Sequence, residues 1–148
     1  MRLVRLPVLS SREWADFVRA HAALLYGALA VRLRSRGRLL APPVGAGAGA
    51  GTVTPVVWKR VSQLEQALAR AIKYGLLRPA CLPRSVALHW LLTHSGIPGS
   101  RIRIGVRPES GGLTAHAWVT LAGQVVGDDP AFVARYTEMV DTQVPGLI

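Results

Sequence analysis

The sequence predicts an α+β fold in which helices are followed by an antiparallel sheet. In separate segments between residues 10 and 95, apolar side chains recur at three- and four-residue steps, which is the periodicity of amphipathic helices. Beyond Pro98 the pattern changes to strict alternation in RIRIGVR, which is the period of a half-buried strand. Helices first and a meander of strands afterwards is the element order of an α+β domain.

The first helix is predicted to run from Ser10 to about Arg34. Ser10 and Glu13 have the spacing of a capping box, and an apolar stripe follows them. We expect Trp14 and Phe17 to turn toward the core. The next stretch, APPVGAGAGAGTVTP, repeats residues that cannot build a core and lacks the GK[ST] of a phosphate-binding loop. The predicted organisation is therefore an N-terminal helical segment (1–40), a linker (41–55) and a core (56–148).

Two further helices are predicted in the core. The second ends near Gly75, and its apolar positions are Val61, Leu64, Leu68, Ala71 and Ile72. The third runs from about Cys81 to Ser95, with Pro83 in the first turn, where a missing N–H costs nothing. Gly96 ends it. Because this helix is apolar on all sides, we expect it to be buried.

Three strands are predicted to complete the core. The first carries Ile102, Ile104 and Val106 on one face. Turns around Gly112 and Gly123 separate the strands from one another. The predicted strand ranges are 101–107, 114–121 and 124–128.

The composition bounds the class of protein. The chain has 148 residues and a formal net charge of +10, from 18 Lys and Arg against 8 Asp and Glu. This charge favours acidic partners, or it merely keeps an apolar domain soluble. No basic run is dense enough for a nucleic-acid stripe. A single cysteine excludes an internal disulfide, and the longest apolar stretch, Ala22 to Val31, is about half a membrane span. We therefore expect a cytoplasmic protein that does not bind a membrane.

Cys81 is the first candidate for catalysis, because it begins a buried helix. Unpaired amides and the helix dipole at such a position favour a thiolate and can hold an oxyanion. A cysteine at a helix start, packed against a sheet that carries a histidine, is the arrangement of papain-like and transglutaminase-like enzymes. The alternative is an inert cysteine that packs as a small apolar residue.

His116 lies inside the strand sequence AHAWV, where a buried histidine needs polar partners. A thiolate on one side and a carboxylate on the other would satisfy both ring nitrogens. Asp128 and Asp129 are the available carboxylates. A two-residue hairpin loop would place His116 opposite Asp129, whereas a three-residue loop ending at Gly123 would place it opposite Asp128. A single glycine at the end of the loop suits the three-residue type and favours Asp128.

The other histidines, His21, His89 and His94, are interpreted as packing, surface or helix-end residues. With one cysteine they show no metal-ligand spacing. The sequence therefore predicts neither a metal nor a cofactor.

The stretch from CLPRS at Cys81 to GDDPAF resembles the lasso peptide leader peptidases, the protease part of the B protein in lasso peptide biosynthesis. The most specific elements are CLPRS, the GIP that ends the third helix, RIGV and AHAWV. The resemblance covers roughly residues 58–136. It implies a transglutaminase-like core with Cys81 as nucleophile, His116 as base and Asp128 as the orienting carboxylate.

The resemblance also implies a function and partners. Such a peptidase removes the leader from a ribosomally made precursor peptide, assisted by a small recognition protein, before a separate cyclase acts. Apart from the resemblance, the alternation of β-type residues puts Arg101, Arg103 and Arg107 on one expected basic strand face, which either contacts an acidic partner or leader segment or is merely solvated. Two other functions stay open on the sequence alone. One is transglutaminase or amidase acyl transfer with the same triad, and the other is a non-catalytic basic adaptor.

Overall fold

The structure is a computed structural model that describes residues 8–33 and 53–139. In these ranges, three helices precede a four-stranded sheet with strand order β3-β2-β1-β4, which confirms the α+β prediction. The elements are α1 (Ser11–Leu33), α2 (Pro55–Tyr74), α3 (Cys81–Thr93), β1 (Arg101–Glu109), β2 (Gly112–Leu121), β3 (Gln124–Val126), α4 (Pro130–Val133) and β4 (Thr137–Glu138). Most of the predicted linker, and Arg34 at the predicted end of the first helix, lie outside the described residues.

The capping box at the start of α1 is present. The Ser10 backbone N–H donates to Glu13 Oε2 over 2.9 Å, and the Glu13 N–H donates to Ser10 Oγ over 3.3 Å. The helix then buries a face of mostly small residues, namely Ala20, Ala23, Leu24, Gly27 and Ala30. At Gly27 a Cβ atom would lie 2.3 Å from the Pro83 carbonyl oxygen. Helix α1 therefore crosses the first turn of α3 in very close contact.

A buried ion pair joins α1 to α2. Arg60 donates through Nη1 and Nη2 to the two oxygens of Asp16, over 2.5 and 2.7 Å. The Asp16 side chain is buried, and its hydrogen bond with Arg60 holds the pKa of Asp16 below its usual value. This two-pronged geometry fixes the register of the two helices.

The prediction that Trp14 faces the core is wrong, whereas Phe17 does pack against it. Trp14 is 44% exposed. The reason is that the small residues of α1, and not its large ones, allow α2 and α3 to approach closely. The large side chains consequently form an exposed apolar stripe that comprises Trp14, Val18, Leu25, Leu29 and Leu33.

Helix α3 is central to the fold, as its apolar sequence predicted. It packs against α1 and α2 and against β1 and β2. Its buried apolar side chains are Val86, Ala87, Leu88, Leu91 and Leu92. Within the described part of the chain, no helix is both long enough and apolar enough to span a bilayer.

The β2–β3 hairpin corrects the predicted three-residue loop. Leu121 pairs with Gln124, so the loop contains only Ala122 and Gly123. Both adopt left-handed backbone, with φ of 48° and 79°, as a two-residue hairpin turn requires. A left-handed alanine costs about 1–2 kcal/mol. The register that it permits buries Leu121 and, on β3, Val126, which offsets that cost.

Strand β4 was not predicted. It pairs with the free edge of β1, where Gly105 faces Glu138. A Cβ atom on Gly105 would lie 2.8 Å from Trp118 Cη2 and 2.9 Å from Tyr136 Cβ. The glycine therefore allows the segment that contains Tyr136 to close over the sheet beside His116.

Candidate active site

Cys81 is the first residue of α3, and its thiol is free and half-buried. The preceding residue, Ala80, has extended backbone, and no side chain caps the helix. Pro83 brings no N–H of its own, so the uncapped amides of this turn belong to Cys81 and Leu82. The thiol thus shares the positive end of a helix with backbone donors that no capping side chain occupies.

His116 projects from β2 into an aromatic enclosure. Phe132 meets its ring edge-on with a centroid separation of 5.1 Å, Tyr136 lies at 5.2 Å, and Trp118 stacks at 6.2 Å. His116 Nε2 is 2.8 Å from Asp128 Oδ2, and each side chain is 15% exposed. These contacts fix the imidazole plane. With Nε2–H donating to the carboxylate, Nδ1 is the nitrogen left to accept a proton.

Asp128 reaches His116 because β3 ends two residues before it. Continued in register, the strand would set Asp129 opposite His116. Gly127 has a φ of +73° and turns the chain out of the sheet, which brings Asp128 to the imidazole instead. Asp128, the carboxylate favoured by the predicted loop length, thus lies beside His116, but the turn at Gly127 and not a three-residue loop puts it there.

Asp129 has a different environment. It is exposed, and its Oδ1 accepts a 2.9 Å hydrogen bond from the Ala131 N–H at the start of α4. This is an ordinary capping contact. The two adjacent carboxylates therefore have different partners: Asp128 contacts His116, and Asp129 caps the start of α4.

Two residues of α3 hold the start of this helix against the His116–Asp128 pair, and neither was predicted individually as a site residue. Ser85 lies one helical turn after Cys81, and its hydroxyl donates a 3.0 Å hydrogen bond to the carbonyl oxygen of Ala117, which is next to His116. Arg84 donates to the Gly127 carbonyl oxygen and lies 3.9 Å from Asp128 Oδ2. Both belong to CLPRS, and spacings of three and four residues place them on the helix face of the thiol.

Glu65 is a third residue that was not predicted individually. Glu65 lies on α2, and its carboxylate accepts a hydrogen bond from the Gly127 N–H. Both polar groups of the Gly127 backbone are thus held by charged side chains, Glu65 and Arg84. No local sequence signal marks Glu65, because it lies 62 residues from its partner.

The thiol and the imidazole are not in hydrogen-bond contact in this conformation. Among the described residues, Cys81 Sγ has no hydrogen-bond partner. Catalytic hydrogen bonds often form only when substrate is bound. The structure brings the helix start and the His116–Asp128 pair together, and the catalytic roles stay predictions.

The remaining histidines serve local packing. His21 Nδ1 is 2.9 Å from the Phe17 carbonyl oxygen, and His94 is exposed and stacks on Trp90. His89 contacts Ser100 Oγ at 2.8 Å, and burial lowers the pKa of His89. Across residues 8–33 and 53–139, no three His, Cys, Asp or Glu side chains form a group that could hold a metal ion.

The predicted basic strand face is largely occupied. Arg103 pairs with Glu138 at 2.7 Å, and Arg107 pairs with Glu109 at 3.0 Å. Both arginines are only half-exposed. Arg101 is exposed, and within the described residues it forms no ion pair. Two of the three arginines on the predicted basic face are therefore ion-paired within this chain, and contact of this face with a partner stays a prediction.

Comparison with known families decides the class of the protein. A sequence description of the transglutaminase-like superfamily matches residues 23–141, which is most of the chain. The chain belongs to the transglutaminase-like superfamily. Proteins of this superfamily are typically peptidases or acyltransferases that use a Cys–His–Asp triad. No curated protein and no solved structure matches the chain. The transglutaminase-like match begins inside α1, and the division at residues 40 and 55 stays a prediction.

Proposed function

We propose that this transglutaminase-like protein is a cysteine peptidase that removes the leader from a lasso precursor peptide. The observation that carries the proposal is the 2.8 Å contact between His116 Nε2 and Asp128 Oδ2, beside the helix that begins with Cys81. The resemblance of CLPRS and AHAWV to the leader peptidases supplies the substrate class.

The proposed reaction uses Cys81 as nucleophile and His116 as base. His116 Nδ1 takes the thiol proton, and the thiolate attacks the carbonyl carbon of the last leader residue. The uncapped amides at the start of α3 hold the resulting oxyanion. His116 then protonates the leaving amine of the core peptide. A water molecule, deprotonated by His116, hydrolyses the thioester and releases the leader with a free carboxylate.

Asp128 acts on His116 and does not touch the substrate. Its carboxylate holds the proton on Nε2, so that Nδ1 keeps the lone pair that accepts the thiol proton. It also stabilises the imidazolium that forms during attack. Arg84, at 3.9 Å, and the Asp129 N–H, at 2.9 Å from Oδ1, keep this carboxylate in place.

We further propose that a small leader-recognition protein binds this chain. Two of the three arginines expected to bind it are already ion-paired. The exposed apolar stripe of α1, which begins at Trp14, is consequently the better dock. The released core peptide carries the amine that a lasso cyclase uses next. Because such precursors are made on ribosomes, the proposal places the enzyme in the bacterial cytoplasm.

The test combines this protein with a lasso precursor peptide and a small leader-recognition protein. Mass spectrometry should find the leader, with one water added, and the free core peptide, and the Cys81→Ala variant should release neither. If added glycine methyl ester is incorporated in preference to water, the protein is an acyltransferase. Activity that persists unchanged in Cys81→Ala would overturn catalysis and leave an adaptor.

A further inference from the structure

A cleft of about 510 Å³ lies between α2 and the start of α3. Its apolar wall contains Leu68 and Ile72, and its polar rim contains Lys73, Arg78 and Arg84. This volume is in the range of sites that take small molecules or a few peptide residues.

The cleft adjoins the proposed active site. Arg84 lines it and also lies 3.9 Å from Asp128 Oδ2. Gly127, which lines it too, immediately precedes Asp128. Arg78 stands three residues before Cys81 in the chain. A peptide in this cleft would therefore lie next to the proposed active site.

The charge of the cleft is unbalanced. Three cations line it against one carboxylate, Glu65, which accepts the Gly127 N–H. Lys73 and Arg78 are exposed, and among the described residues neither forms an ion pair. Lys73 lies 5.2 Å from the centroid of the Tyr74 ring. Arg78 uses Nη1 to bind the Ile72 carbonyl oxygen, which leaves its other N–H donors for a ligand.

We propose that this cleft is a substrate subsite for an acidic segment of a peptide. An Asp or Glu side chain binds between Lys73 and Arg78, and a neighbouring apolar side chain packs on Leu68 and Ile72. Arg78 supplies two-pronged geometry and Lys73 a compact charge. The inference deepens the proposed function, since it rests on a peptide being the substrate.

Binding is measured with the Cys81→Ala protein, so that no cleavage is needed. The probes are two fluorescent decapeptides, one alternating Glu with Leu and the other alternating Gln with Leu, followed by fluorescence anisotropy. The Glu peptide should bind more tightly, and Lys73→Gln with Arg78→Gln should weaken it about five- to twentyfold. The matched control is Lys59→Gln with Arg32→Gln, which removes the same charges at exposed positions. Lys59 is about 20 Å from Lys73 along α2.

The outcomes separate the subsite from the catalytic proposal. Equal affinity for both peptides, or an equal loss in the control variant, overturns the subsite. A single-stranded oligonucleotide that competes better than the Glu peptide and depends on Lys73 and Arg78 would overturn the peptide assignment. Acidic-peptide binding without precursor cleavage would leave the subsite standing and remove the proposed function. Precursor cleavage that is unchanged by Lys73→Gln with Arg78→Gln would support the proposed function and overturn the subsite.

Discussion

The hydroxyl of Ser85 donates a 3.0 Å hydrogen bond to the carbonyl oxygen of Ala117. Strand β3 pairs with β2 only over Val119 to Leu121, so Ala117 lies just beyond the end of that pairing. At this position α3 lies beside β2 where a strand would otherwise pair, and the Ser85 hydroxyl donates the hydrogen bond that the Ala117 carbonyl would accept from such a strand. This bond connects the helix that begins with Cys81 to the strand that carries His116.

Ser85→Ala should destabilise the protein by about 1–3 kcal/mol, because it removes a buried donor from the Ala117 carbonyl. Ser95→Ala is the matched control. The Ser95 hydroxyl is buried and has no hydrogen-bond partner in the described residues, so its removal should be neutral or slightly stabilising. Urea unfolding of both variants checks this, and equal destabilisation would contradict the assigned role of Ser85.

Gly127→Ala should lower both stability and turnover. The alanine would adopt a φ near +73°, and its Cβ would lie 2.4 Å from Leu88 Cδ2, which together cost about 2–4 kcal/mol. To relieve this clash the backbone at residue 127 must shift, and that shift moves Asp128 away from His116. Gly123→Ala has a similar φ of +79° but meets no atom within 4 Å. It should cost about 1–2 kcal/mol and leave turnover unchanged. Similar turnover in the two variants would argue against a role for Gly127 in placing Asp128.

Asp128→Asn should reduce kcat about 10²- to 10⁴-fold, because an amide that donates to Nε2 would favour the wrong tautomer of His116. Cys81→Ala and His116→Ala should be more severe. Asp129→Asn should stay within about twofold of wild type, since asparagine caps a helix as well as aspartate does. The measurement is the single-turnover rate of precursor cleavage. A larger loss at Asp129 than at Asp128 would reverse the assignment.

Arg60→Gln should destabilise the protein by about 1.5–3 kcal/mol at neutral pH, because it leaves the buried Asp16 carboxylate without its cation. Arg60 lowers the pKa of Asp16 in the folded state. The stabilisation is therefore fully present above the unfolded pKa of about 3.9 and disappears as pH falls through the lower folded value.

Urea unfolding across acid pH tests this dependence on Asp16. The difference between wild type and Arg60→Gln should be constant near neutrality and shrink in acid. Arg70→Gln is the control, because its partner Glu13 is exposed, and it should change stability little. A difference that does not vary with pH would place the effect of Arg60 outside its ion pair.

Much of this protein is determined by local sequence. The capping box at Ser10, the apolar length of α3 and the alternation in β1 each depend on residues within a few positions of one another. Such patterns act through backbone geometry and burial, which a single segment already encodes. For the same reason, the cysteine at a helix start and the histidine within a strand could be recognised as candidates from the sequence alone.

The tertiary structure decided what depends on distant residues. Loop length alone predicted the wrong hairpin, because burial of Leu121 and Val126 outweighs the strain at Ala122. The side chains that hold Gly127, from Glu65 and Arg84, come from 62 and 43 residues away. Which face of α1 is buried was likewise set by how closely small residues let helices approach. Contacts of this kind belong to the assembled core, so no local pattern could specify them.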